Sequence, residues 1–141
     1  MITLQQIKAN NPCIDGWRKV KAANTDAPFP VSSILESNDF YDTLWALRCL
    51  PEYDNLWRKY AWWCAKQVSH LSGDPRVEEC LAVVWRHSEG GATDEELAAV
   101  YSTAGAEAAT RAAARAAGAI GVAGAVEAKL KQILDAGEWV E

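Results

Sequence analysis

The sequence has no excess of positive charge: 14 Lys and Arg stand against 19 Asp and Glu, a formal net charge of −5. Sequence-independent binding to nucleic acid or to an anionic membrane needs clustered cations, so neither is expected, and a basic partner suits the chain better. Long hydrophobic runs are also missing. The longest uncharged, weakly apolar stretch, 116–126, contains Gly118, Gly121 and Gly124 and is too short to cross a bilayer. The opening MITLQQIKANN has neither a basic start nor an apolar segment, so no secretory signal is expected. Cys13, Cys49, Cys64 and Cys80 form no CxxC pair and match no zinc spacing. They read as small apolar core residues, and free thiols suit a reducing cytoplasm.

Catalytic signatures are lacking as well. There is no GxxxxGK[ST] loop, no GxSxG elbow and no HExxH pair. His70 and His87 follow Cys64 and Cys80, but Cys64 and His70 do not share one helical face, so no metal is expected. The carboxylates Glu36, Asp39 and Asp42, and Asp94, Glu95 and Glu96, stand at helix starts, where the helix dipole favours them. Arg48 and Arg58 lie among apolar residues, and a buried arginine paired with Asp42 or Asp54 would be structural before it was functional. No enzyme activity and no cofactor are expected.

What the chain does have is an ordinary globular balance, with half of its 141 residues apolar and 23% charged. That length fits a single domain, 1–141, with one core. Thr3 and Gln6 form a capping-box pattern, and short helices are expected over 3–23, the second from Gly16 to Ala23. The loop 24–30, with two prolines, is the best candidate for a flexible connection. A main bundle follows over 31–117. Ser37, Asn38 and Asp39 offer cap side chains for a helix with Phe40, Tyr41, Leu44, Trp45 and Leu47, and Pro51 ends it and opens the next. Ser72-Gly73 closes that helix and Asp74-Pro75 starts another, which Gly90-Gly91 ends. Thr93-Asp-Glu-Glu96 is a second capping box. It launches an alanine-rich segment whose composition predicts a long helix through at least Ala117. A last helix is expected from about Val126 to Asp135. No strand pattern appears, so the expected fold is all-α, a compact antiparallel bundle of about six or seven helices.

Trp62 and Trp63 stand side by side, and one buried stripe cannot take both. Leu56, Tyr60, Trp63, Cys64, Val68 and Leu71 share one face, which assigns Trp63 to the core. Trp62 falls on the opposite face with Arg58, Lys59, Lys66 and Ser69. It either packs under another element or waits for a partner, and Trp and Arg are frequent binding hot spots. Arg58, Lys59, Trp62, Lys66 and Ser69 are therefore the candidate partner-binding surface. Trp45 and Trp85 read as core, while Trp17 and Trp139 are read as covering the ends of the bundle. In the alanine-rich segment Thr103, Glu107, Arg111 and Arg115 make a polar ridge, and faces of small residues would admit a second copy, so a homo-oligomer through this helix is one expectation.

The ordered stretches NPCIDGWRKV (11–20), FPVSSILESNDFYDTLWALRCLPEY (29–53), WRKYAWWCAKQVSHLSGDPR (57–76) and GATDEELAAV (91–100) resemble a family of small bacteriophage and prophage proteins, some labelled as immunity proteins. The resemblance covers about residues 3–117. Relatives usually carry tryptophans in an alanine-rich tail that here has none, and the glycines of this tail are a further departure. It implies a phage accessory protein in the bacterial host cytoplasm. The expected function is binding and inhibition of a bacterial protein, such as anti-CRISPR-like inhibition of a defence system. An immunity-type protein that neutralises a toxin is the alternative, and a small-ligand binder or enzyme the second alternative.

Overall fold

Thr3 opens the first helix as its residue pattern predicts. Its hydroxyl accepts from the Gln6 N–H at 3.2 Å, and the Gln6 side chain accepts from the Thr3 N–H at 2.9 Å, which satisfies two donors that a helix start leaves orphaned. The structure, a computed structural model, describes residues 1–71, 73–102 and 123–141. Its helices are α1 (Leu4–Ala9), α2 (Ile14–Ala23), α3 (Ser32–Ser37), α4 (Phe40–Leu47), α5 (Asp54–Lys66), α6 (Pro75–Ser88), α7 (Asp94–Ser102) and α8 (Ala123–Ala136). Single 3-10 turns occupy Pro51–Tyr53 and Ser69–Leu71. The described chain is all-α, and its sole β feature is an isolated bridge between Ile2 and Phe29.

The chain divides into two compact units: Met1–Asp54 with Glu127–Glu141, and Asn55–Val126. In the first unit the N-terminus is tied down. Ile2 and Phe29 exchange both backbone hydrogen bonds at 2.9 Å, and both side chains are buried. The loop 24–30 is therefore anchored at Phe29 rather than being a free connection. Ile2, Leu4, Leu50, Leu130 and Ile133 are among its buried residues, each worth roughly 1.5–3 kcal/mol over exposure. Thr43, fully buried, donates its hydroxyl to the Asp39 carbonyl at 2.8 Å, so its polar atom costs little to bury. The C-terminal helix α8 begins before the expected Val126 and stops at Gly137, whose φ of 73° suits a residue without Cβ.

In the second unit the caps fall as the sequence indicates. The Asp74 carboxylate accepts from the Arg76 N–H at 3.0 Å with Pro75 at the first helical position, and Gly90, at φ 76°, follows α6. Thr93 and Glu96 form the second capping box. Pro51, by contrast, opens a 3-10 turn that leads into α5, and α5 ends at Lys66, earlier than a straight wheel assumes. Leu71 consequently leaves the apolar face and is exposed, while Val68 remains fully buried. α7 is described to Ser102. The expected continuation of an alanine-rich helix through Ala117, the expected polar ridge and the expected homo-oligomer surface fall on residues 103–122, outside the described residues. Among the described residues no helix is long and apolar enough to cross a membrane.

Candidate functional site

The face expected to meet a partner is a seam within the second unit. Arg58 donates to the Asn55 side chain at 2.9 Å and meets His87 Nδ1 at 3.3 Å; Lys59 pairs with Glu89; Lys66 pairs with Glu78 at 2.7 Å. The partners run backwards along α6 as α5 runs forwards, so the two helices are antiparallel neighbours. Between the charged ends Trp62 lies against Trp85, centroids 4.4 Å apart, and packs on the buried pair Cys80 and Val84 beside Leu97 and Val100 of α7. Lys59 Nζ also stands 5.4 Å from the Trp85 ring centroid, a cation–π distance. Ser69 is buried in the turn after α5, with its hydroxyl on the Lys66 carbonyl at 3.4 Å.

The structure thus gathers Arg58, Lys59, Trp62 and Lys66 on one helical face and turns that face inward. Ser69 belongs to the turn. Each cation is already engaged, and the Lys66 ammonium, followed by the Ser69 hydroxyl, holds the Glu78 carboxyl below its ordinary range. Trp63 and Trp62 are both half-buried, as are the other five tryptophans, Trp45 and Trp85 included. His87 joins α5 to the start of α7. Because a guanidinium only donates, Nδ1 accepts from Arg58 and Nε2–H donates to Asp94 Oδ1 at 2.7 Å. Among the described residues no cluster of three His, Cys, Asp or Glu could hold a metal.

A concave site does exist, in the first unit. It has a volume of about 210 Å³ and draws apolar lining from four helices: Ile7 of α1, Val20 of α2, Ile34 of α3 and Ala46 of α4, all buried. Pro12, Tyr41 and Trp45 complete the apolar wall. Polar atoms come from a small group at the start of α2. Cys13 caps that helix with its sulfur accepting from the Gly16 N–H at 3.3 Å. Asn38 donates its side-chain amide to the Gly16 carbonyl at 2.9 Å and to Asp42 Oδ2 at 2.8 Å. Gly16 is needed for this closeness, since a Cβ there would lie 3.1 Å from both Asp42 Oδ2 and the Cys13 sulfur.

One expectation changes here. Cys13 is exposed and lines a pocket instead of filling a core. Arg48 does not pair with Asp42; it lies 5.1 Å from the Trp45 ring centroid and donates to the Trp45 carbonyl at 3.1 Å. Asp42 consequently has no cationic partner among the described residues. Tyr41, which lines the pocket, is 79% exposed, and Ile14, which follows the lining residue Cys13 in the chain, is 68% exposed. Two local signals pointed at this site: a glycine inside a helical pattern at position 16, and an Asn-to-Asp pair one helical turn apart at 38 and 42. No family model, no curated protein and no solved structure matches the chain.

Proposed function

We propose that this chain is a phage accessory protein that binds and inhibits a bacterial protein in the host cytoplasm, and that it docks through the pocket of the first unit. The observation that carries the docking surface is the pairing of that pocket with exposed Tyr41 and Ile14. Exposed aromatic and aliphatic side chains beside a concavity are what a partner's anchoring residue needs around it. The cavity, about 210 Å³, is smaller than the roughly 300–1,000 Å³ that holds a drug-sized ligand, which favours one inserted side chain over a free small molecule. The α5 face is a weaker docking candidate because its cations and Trp62 are satisfied within the unit. Inhibition, and a defence system as its object, rest on the phage resemblance, and neutralisation of a toxin is the competing reading.

The test is affinity capture from bacterial lysate with the full chain, with Tyr41→Ser and Ile14→Ser combined, and with Lys59→Ala and Lys66→Ala combined. The expected result is a stoichiometric partner retained by the lysine variant and lost by the pocket variant. Loss with the lysine variant alone would return docking to α5. Rescue of phage growth in defended hosts supports the anti-defence reading, whereas protection against one cognate toxin would replace it.

A further inference from the structure

Resting on the pocket as the docking site, we propose that its occupant is an arginine side chain of the partner protein, with the guanidinium on Asp42 and the aliphatic stem along the apolar wall. The pocket holds one anionic group, Asp42, in a lining that is mostly apolar apart from Asn38, and that group is prepared without being neutralised. Both N–H bonds of the Asn38 amide are spent, on the Gly16 carbonyl and on Asp42 Oδ2, and its oxygen accepts from the Ser37 hydroxyl at 2.9 Å. This fixes the carboxylate and leaves Oδ1 to be matched by a ligand.

The chemistry of the occupant follows by comparing what each class would leave unsatisfied. A neutral apolar ligand would bury a carboxylate with no counter-charge, which disfavours it. A phosphate or an acidic peptide would face Asp42 directly, in a chain of net charge −5. A metal ion would find a single carboxylate and no further His, Cys, Asp or Glu ligand grouped with it among the described residues. A basic side chain satisfies both halves of the site, since its stem is apolar and its tip is cationic. Arginine fits better than lysine because the wall includes the exposed Tyr41 ring, on which a planar, weakly hydrated guanidinium stacks while it bonds a carboxylate.

Three probes test this on the full chain by NMR titration of the Gly16 backbone amide and the Asn38 side-chain amide: n-propylguanidinium, its neutral isostere n-propylurea, and n-butylammonium. The expected result is saturable shifts with n-propylguanidinium, at least fivefold weaker binding of n-propylurea, and an intermediate affinity for n-butylammonium. Asp42→Asn, which keeps an acceptor for Asn38, should weaken n-propylguanidinium at least fivefold and leave n-propylurea unchanged. Equal binding of the urea and the guanidinium would overturn the cation requirement while leaving the pocket as a docking site. Tighter n-butylammonium binding would overturn arginine in favour of lysine. Absence of shifts with all three would overturn the proposal, and the Tyr41/Ile14 capture experiment then decides separately whether the pocket docks anything.

Discussion

Trp62 lies against Trp85 with ring centroids 4.4 Å apart and planes inclined by 40°, in the middle of a seam closed at its ends by Lys59 with Glu89 and Lys66 with Glu78. The aromatic pair and the ion pairs differ in weight. A half-buried tryptophan truncated to alanine loses part of the 3–5 kcal/mol typical of a full core site together with its ring contact, so Trp62→Ala should destabilise the second unit by about 2 kcal/mol. Lys66→Ala removes an ion pair open to water, worth about 0.2–1 kcal/mol. Urea unfolding followed by tryptophan fluorescence should show that order. Equal effects would mean that charge, not ring packing, holds the seam.

Why this seam was hidden while the caps were plain is a matter of range. Thr3 with Gln6 and Thr93 with Glu96 are satisfied within one turn, so the residues that make each box are readable side by side. A helical wheel of α5 correctly separates Trp62 from Tyr60, yet it assumes that a helix buries one stripe. α5 buries Tyr60 on one side and half-buries Trp62 on the other, and that second contact becomes visible only when Glu78, Trp85 and Glu89 of the next segment are brought opposite. The pocket is harder still, because Ile7, Gly16, Ile34 and Asp42 come from four helices and no periodicity within one helix joins them.

Acid should weaken the fold through a few identifiable carboxylates. Arg76 hydrogen-bonds Asp74, Lys66 hydrogen-bonds Glu78 and Lys131 hydrogen-bonds Asp135, and each of these holds its carboxyl below the ordinary range. A carboxyl whose folded pKa is depressed binds fewer protons folded than unfolded, so the stability it contributes is present above about pH 4 and is lost as pH falls through the folded value. The urea midpoint should stay level from neutral pH to about pH 5 and then decline. Glu78→Gln should flatten part of that decline. A midpoint already falling between pH 7 and 6 would point to a group other than these three.

The four thiols should react in two classes. Cys13 is exposed, whereas burial pushes the Cys49, Cys64 and Cys80 thiols up, against a smaller opposing pull from Arg48 on Cys49 and from the Tyr60 hydrogen bond on Cys64. The thiolate is the reactive form, so a disulfide reagent at mildly alkaline pH should modify one thiol quickly and the other three only as the chain opens. Cys13→Ser should remove the fast phase. A fast phase that survives this substitution would place an opening near one of the buried thiols.

Gly16→Ala sets a helix gain against a loss of space. Alanine in place of glycine favours a helix by up to about 1 kcal/mol, but the new Cβ would stand 3.1 Å from Asp42 Oδ2 and from the Cys13 sulfur. Both neighbours are side-chain tips able to move a few tenths of an ångström, so the melting temperature should change by only a few degrees. The pocket, however, depends on where those tips sit. Moving Asp42 pulls on the Asn38 amide that is shared with the Gly16 carbonyl, so the Asn38 side-chain resonances should shift and n-propylguanidinium should bind severalfold more weakly. Calorimetry beside the titration separates the two effects. A folded Gly16→Ala protein with unchanged probe affinity would show that the carboxylate position is not what the pocket reads.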